Sequence, residues 1–373
     1  MTPLGLYLHV PFCEIKCGYC VFYSLTNSPE ADRETFTTAL CAEIEAKATH
    51  APADTVFFGG GTPSLLTIGQ MERLMGSITA SFDLAPSAEI TMEANPETVT
   101  PASLAGYREA GVNRISFGVQ SLEPVILNTL GRIHSAERAR QAVLEARAAG
   151  FTRINADLIF GLPGQTPEIW ERDLTEVLGW PVDHVSCYEL TIEPGTAFGA
   201  KPPKLPEEEQ TLAMWRSVMA ETNRRGFGHY EVSNYARPGS ACRHNMKYWE
   251  DTDFFGFGPA AWGCLDGERL GNPASLKKWL FGAAGGFPPA TRERLPEAGR
   301  RAETLVLALR LRAGLDEAGF AARYGNDALA PFLKALAPHL EAGRVERTQG
   351  RLRLTDTGLL VGNAVWADVY AAA

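Results

Sequence analysis

The chain has 373 residues, 45% of them hydrophobic and 21% charged, with a formal net charge of −9; this suffices for a barrel-sized domain plus a smaller one. The acidic balance supplies no long-range attraction to nucleic acid or to an anionic membrane surface, so neither is expected as a partner. No apolar stretch of about 18 residues calls for a transmembrane helix, no signal-peptide pattern precedes the first strand, and seven cysteines, three of them clustered, suit a reducing cytoplasm rather than a disulfide framework.

Along the first two-thirds, short runs rich in β-branched and aromatic residues alternate with helical stretches. Strands are predicted at 4–10, 55–58, 89–93, 114–119, 153–159 and 184–190. Helices are predicted near 32–50, 67–82, 101–110, 135–149, 167–178 and 206–225. Thr100-Pro101 reads as an N-cap with proline at the first helical position, and Gly111 and Gly150 read as helix stops. Six βα units in series predict an α/β fold with a parallel sheet curved into a partial barrel. Ligand sites in such folds gather on loops at the carboxyl ends of the strands. Those loops hold the cysteine run after the first strand, Gly59-Gly60-Gly61-Thr62 after the second, Glu93 closing the third, Gln120 after the fourth and Gly161-Leu162-Pro163-Gly164 after the fifth.

The glycine- and proline-rich stretch 282–289 predicts a boundary. The expected division is a barrel at 1–228, a connecting segment at 229–288 and a small C-terminal domain at 289–373. The last reads as helices at 299–312, 316–324 and 327–342, a hairpin at 344–353 turning at Gln349-Gly350, and a final helix, which resembles a winged helix. Such modules bind DNA or serve as packing units; the acidic balance and the lack of a basic stripe favour packing.

Cys13, Cys17 and Cys20 form a C-x3-C-x2-C run within YLHVPFCEIKCGYC. Three thiolates suit a [4Fe–4S] cluster with one iron left open, shielded by Phe12, Tyr19 and Phe22. A zinc site with His9 as fourth ligand, or three inert thiols, are the rival readings. The glycines of Gly59-Gly60-Gly61-Thr62-Pro63 let backbone approach a ligand closely and can offer carbonyls to the ammonium group of S-adenosylmethionine (SAM). Glu93 and Asp157 suit ribose hydroxyls and Arg132 suits a carboxylate; each serves equally well as a helix cap or a rim ion pair.

YLHVPFCEIKCGYC, FFGGGTP, MEANP, SFGVQS, DLIFGLPGQT and the C-terminal module together resemble the oxygen-independent coproporphyrinogen III oxidase family of radical SAM proteins. The resemblance covers nearly the whole chain. It implies a partial (β/α)6, TIM-like radical SAM barrel with a small helical, winged-helix-like C-terminal domain. It also implies that Cys13, Cys17 and Cys20 hold the cluster, and that Tyr7, Tyr19, Gly60, Gly61, Thr62 and Glu93 contact SAM. Gln120, Arg132, Asp157 and Thr191 match further positions around bound SAM, some of which hold a second SAM in the oxidase.

The oxidase branch carries another cysteine two residues after the last cluster ligand, where this chain has Phe22, and a longer N-terminal extension. Both departures match the haem-chaperone (HemW) branch, as does an H-N-x-x-Y-W motif at His244-Asn245-Met246-Lys247-Tyr248-Trp249. Histidine is a common axial ligand to haem iron. On a helix, His244 and Tyr248 share a face, with Trp249, Phe254, Phe255 and Phe257 as apolar surface and Arg243 and Lys247 for propionates. The alternative is that these aromatics pack a loop and His244 bonds backbone. Where family members carry Gly-Ala-His, this chain has Ala260-Ala261-Trp262. Cys242 and Cys264 flank the motif without a haem-attachment pattern, and Cys41 and Cys187 read as core thiols.

The expected function is therefore a cytoplasmic haem chaperone that binds a [4Fe–4S] cluster, SAM and haem and delivers haem to an acceptor protein. A reductant of flavodoxin or ferredoxin type would serve as partner. The alternative is oxidative decarboxylation of coproporphyrinogen III.

Overall fold

The computed structural model describes residues 2–373. Six parallel strands, β1 (Leu4–Val10), β2 (Pro52–Gly60), β3 (Asp83–Ala94), β4 (Arg114–Gln120), β5 (Arg153–Phe160) and β6 (His184–Glu189), pair in chain order. The linking helices run Glu30–Ala46, Ile68–Ser81, Pro101–Glu109, Ala136–Ala148 and Pro167–Leu178, and Glu208–Arg224 follows β6. Their starts are chemically marked. Thr67 forms a capping box with Gln70, Thr100 one with Ser103 ahead of Pro101, and the Ser135 and Thr166 side chains cap the next two. A short helix, Pro124–Leu130, escapes sequence reading because its buried Ile126, Leu127 and Leu130 span barely two turns, too few for a helical period to stand out.

Side chains alternate across each strand. One face buries Leu6, Val56, Met92, Phe117, Ile154 and Val185 under the helices. The opposite face lines the barrel and is polar: Tyr7 and His9, Thr55, Glu93, Ser116, Asn155 and Asp157, His184 and Ser186. Register sets Glu93 beside Ser116, and Asp157 between Gly118 and Ser186.

The sheet does not stop at six strands. Beyond β6 it adds β8 (Asn234–Ala236) and β7 (Gly228–Glu231), both antiparallel. On the other side β9 (Phe254–Phe257) pairs parallel to β1, followed by antiparallel β10 (Trp262–Leu265), β11 (Glu268–Gly271) and β12 (Thr291–Arg294). The stretch expected as a connecting segment thus supplies strands at both edges, and the sheet extends past the boundary expected at 282–289. That stretch is a turn within the sheet domain: Gly286 is left-handed (φ 72°) and the buried Phe287 ring packs on Trp279 at 5.3 Å.

The C-terminal region has its own core, including Leu305, Leu309, Phe320, Phe332, Leu336, Leu352 and Val365. Helices Glu297–Leu309, Glu317–Tyr324 and Ala330–Glu341 pack with a three-stranded sheet of β13 (Leu315–Asp316), β14 (Val345–Thr348) and β15 (Arg351–Leu354). Gln349 (φ 51°) and Gly350 (φ 71°) make the hairpin turn, the double positive φ that twists with the strands. Helices Asp356–Leu360 and Gly362–Ala371 close the chain.

Candidate functional site

The cysteine loop leaves the carboxyl end of β1 and is pinned at several points. Phe12 buries its ring edge-on to Phe36 at 5.2 Å. The Cys13 amide donates to Leu25 O at 2.9 Å, the Gly18 amide to Leu130 O at 3.1 Å and the Phe198 amide to Gly18 O at 2.9 Å. His9 reaches up from β1, its Nε2 2.8 Å from Tyr23 O. So held, Cys13, Cys17 and Cys20 are half-buried free thiols facing one cavity of about 500 Å³. Of the expected shielding rings, Tyr19 lines the cavity, Phe12 lies beneath it, and Phe22 is exposed at its mouth.

The Gly-Gly-Gly turn fits under this loop because it lacks side chains. A Cβ on Gly61 would lie 2.6 Å from Phe12 O and 2.8 Å from Val10 O. Gly60 has φ 105°, and a Cβ there would strike the His9 ring at 2.5 Å. The Gly61 amide donates to Val10 O (2.8 Å) and the Thr62 amide to Phe12 O (2.7 Å), while the Thr62 hydroxyl lies 3.6 Å from Cys13 Sγ.

Opposite, the Gly60 amide donates to Glu93 Oε2 at 3.1 Å. Burial, reinforced by Asp157 and partly opposed by that amide, pushes the Glu93 carboxyl up to about 8. Asp157 is fixed by the Ser116 hydroxyl (2.8 Å) and Asn155 Nδ2 (2.8 Å). Arg132 donates through Nη2 to Gly118 O (2.5 Å) and through Nη1 toward Cys17 Sγ (3.5 Å). Gln120 sits at a register shift on β4 with φ 68°, a left-handed conformation uncommon for a side-chain-bearing residue and a common mark of functional loops. Burial raises the Cys13 and Cys20 thiols, the Thr62 contact opposing this at Cys13 and the Phe22 backbone at Cys20.

Tyr19, Gly60, Gly61, Thr62, Glu93, Gln120, Arg132, Asp157 and Thr191 therefore line the same cavity as the three cysteines. Tyr188 and Ser116 also line it and were not singled out from sequence. Their signal was available in the alternation of β4 and β6, which puts them on the inward face with Asp157. Asn155, which also bonds Ser116 and His184, was missed for the same reason.

Among the described residues, no three His, Cys, Asp or Glu side chains converge on a single metal position. His9 has both nitrogens engaged, by Tyr7 OH at 3.1 Å and by Tyr23 O, so it supplies no fourth zinc ligand. Three soft thiols around a cavity suit a multi-iron cluster better than one ion.

Tyr7 and His244 lie outside this cavity. Helix Arg243–Trp249 packs against the inner face of β1 and β2. The His244 amide donates to Glu89 Oε1 (3.1 Å) and its ring stacks on Phe57 (5.3 Å) and Tyr7 (6.4 Å). Gly5 makes room, since a Cβ there would meet Lys247 Cδ at 2.8 Å. His244 is fully buried, with Nδ1 paired to Thr55 Oγ1 (2.9 Å) and Nε2 to Tyr248 OH (2.9 Å). His244 is expected from its motif as an axial haem ligand; in this conformation both of its nitrogens are hydrogen-bonded and its ring is enclosed. Burial, with a contribution from Lys247, lowers its pKa to about 3, so the ring is neutral. Arg243 and Lys247 are both paired to Asp54, at 2.7 Å each, rather than presented to propionates. Phe254, Phe255 and Phe257 are strand residues of β9, and Cys242 is buried against Glu89.

A partial barrel with three thiols, a glycine turn and paired carboxylates at its carboxyl mouth defines a protein of the radical SAM class. Residues 7–177 match the Radical SAM superfamily and residues 295–361 the HemN C-terminal domain. The fold superposes on the coproporphyrinogen III oxidase HemN from Escherichia coli, described as a radical SAM enzyme, with a TM-score of 0.88 and 26% identity, covering 100% of this chain and 91% of that one. The chain is 38% identical to the heme chaperone HemW of Mycobacterium tuberculosis (strain ATCC 25618 / H37Rv), over 97% of this chain and 94% of the relative. It is 35% identical to that of Bacillus subtilis (strain 168), over 96% and 97%. The chain belongs to the HemW family. No described helix is long and apolar enough to cross a membrane.

Proposed function

We propose that this chain is a haem chaperone: it holds a [4Fe–4S] cluster and SAM in the barrel mouth, binds haem, and passes it to an acceptor protein. The observation that carries this reading is the single cavity into which Cys13, Cys17 and Cys20 project opposite Gly60, Thr62, Glu93, Arg132 and Asp157, with Phe22 at its rim. Phe22 stands where the oxidase branch has a further cysteine, and the near-full-length likeness to proteins named heme chaperone supports the same choice.

Cys13, Cys17 and Cys20 hold the cluster. When bound, the cluster supplies single electrons and an open iron site for SAM. Thr62 and Arg132 donate toward Cys13 and Cys17 and offset thiolate charge. Tyr19, Gly60, Gly61, Thr62 and Glu93 form the SAM wall, and Gln120, Arg132, Asp157 and Thr191 complete it. Burial beside Asp157 raises the Glu93 carboxyl, so Glu93 keeps its proton at neutral pH and can donate a hydrogen bond to a ligand in the cavity. Tyr7 acts from below, through its stack on His244 and its hydrogen bond to His9. A flavodoxin- or ferredoxin-type protein is the electron source.

The test uses the full chain reconstituted anaerobically with iron, sulfide and SAM. Hemin is added, and transfer to a haem-depleted acceptor is followed by absorbance. Stable hemin uptake followed by transfer is expected. Conversion of coproporphyrinogen III to protoporphyrinogen, without hemin transfer, would establish the oxidase reading instead.

A further inference from the structure

Asn155, His184 and Tyr230 stand outside the lining of the barrel-mouth cavity, yet an unbroken hydrogen-bonded chain joins them to Asp157, which lies within it. Asn155 on β5 is in register with Ser116 of β4 on one side and His184 of β6 on the other, and all three are buried. Asn155 Nδ2 donates to Asp157 Oδ1 (2.8 Å) and to Ser116 Oγ (2.7 Å), and Ser116 Oγ donates to Asp157 Oδ2 (2.8 Å). Each oxygen of the Asp157 carboxyl is therefore held by a side chain of this layer.

The direction of the chain follows from what each group can donate. With the Asn155 amide reversed, its oxygen would confront Asp157 Oδ1, acceptor against acceptor. Asn155 Oδ1 therefore faces His184 Nδ1, at 2.6 Å, and the proton of that contact belongs to Nδ1. Burial, reinforced by the Arg114 charge, holds the His184 pKa well below its ordinary value, so the ring carries a single proton. Nε2 is then the acceptor, and the Tyr230 hydroxyl donates to it at 2.8 Å. The same hydroxyl oxygen accepts the Cys242 amide at 3.2 Å. Cys242 is the N-cap of helix Arg243–Trp249, so the chain begins at the H-N-x-x-Y-W helix and ends on Asp157. A β-bulge makes the link. His229 pairs with Tyr235 and Glu231 with Asn234, which leaves Tyr230 as the extra residue of β7. A bulge re-aims a side chain, and the Tyr230 ring meets His184 edge-on with centroids 5.6 Å apart.

We propose that His184 and Tyr230 are positioning residues for SAM: through Asn155 they fix the Asp157 carboxyl in the SAM wall. The inference rests on the SAM reading of the cavity given above and deepens it. A binding group holds its geometry when the shell behind it is itself hydrogen-bonded and packed. His184 supplies that shell from β6 and Tyr230 from the edge strand β7. The antiparallel strands that extend the sheet past β6 thereby act on the ligand site without touching the ligand.

The experiment titrates SAM into the full chain carrying its reconstituted, reduced cluster, and reads the change in the cluster EPR signal. Three variants are compared, His184→Leu, His184→Asn and Tyr230→Phe, with thermal melting to confirm that each is folded. His184→Leu removes both bonds and is expected to raise the SAM Kd about tenfold, the usual scale when the partner behind a ligating group is lost. His184→Asn keeps an amide donor where Nδ1 stands, and Tyr230→Phe removes only the hydroxyl. Each of these is expected to raise the Kd no more than about threefold. In an Asp157→Ala background, His184→Leu should add nothing further. The cluster potential without SAM should be the same in all. An unchanged SAM Kd in folded His184→Leu overturns the assignment, and so does an unchanged Kd in Tyr230→Phe should the leucine variant not fold. A full additional loss in the Asp157→Ala background, or a shifted potential without SAM, would mark a general distortion of the barrel and overturn it as well. If the wild-type chain gives no SAM-dependent EPR change, the SAM reading of the cavity itself fails.

Discussion

His9 Nε2 lies 2.8 Å from the carbonyl oxygen of Tyr23, which joins the first barrel strand to the far end of the cysteine loop. The other nitrogen of the same ring meets Tyr7 OH, and Tyr7 stacks on His244. A column of rings therefore runs from the H-N-x-x-Y-W helix to the cluster loop. His9→Ala removes two buried partners at once. It is expected to cost about 1–3 kcal/mol of stability and to speed loss of iron from the reconstituted cluster to a chelator. Iron release at the wild-type rate would show that the loop does not depend on this contact.

Gly61→Ala places a methyl against two backbone carbonyls that cannot swing aside. Strain of this kind costs about 1–3 kcal/mol, and iron incorporation should fall with it. Gly69→Ala is the control, since a Cβ there meets nothing within 4 Å on a helix. That variant should be unchanged or more stable by up to about 1 kcal/mol. Chemical denaturation of the two side by side decides.

Glu93 has a folded pKa raised to about 8 from 4.5. The folded chain therefore binds this proton more tightly than the unfolded chain does. Its contribution is fully present below about 4.5 and is lost as pH rises toward 8. Stability of the cluster-free chain should fall across that window, and Glu93→Gln should flatten that part of the slope. An unchanged slope in the variant would assign the pH dependence to other groups.

Arg132 is the cation facing Cys17. Arg132→Met removes positive charge beside a cluster ligand, so the cluster should become harder to reduce and its midpoint potential should move negative. Arg132→Lys should recover part of the shift but not the bond to Gly118 O. Potentiometric titration monitored by EPR gives the sign.

Much of the barrel was legible in the chain because its signals are local. β1 was predicted at its observed limits, and helix Pro167–Leu178 likewise, since caps and periodicities of two and 3.6 act within a few residues. The edge strands β7 to β12 were not, because runs of three or four residues carry little pattern and are stabilised by the neighbours they pair with. The candidate site divides the same way. Glu93, Asp157 and Arg132 were found as polar residues at or just past strand ends, but the bonds that hold them, to Gly60, Ser116, Asn155 and Gly118, exist only once strands and loops come together.

The spacing of Cys13, Cys17 and Cys20, the glycine turn and the βα alternation determined by themselves where a ligand pocket would open, because each is written in contiguous residues. The surroundings of His244 were decided only by tertiary packing. It sits on a helix pressed into the barrel, where Thr55 and Tyr248 saturate its ring. A histidine's capacity to bind metal depends on what its nitrogens touch in space, and those contacts come from residues up to 189 positions away.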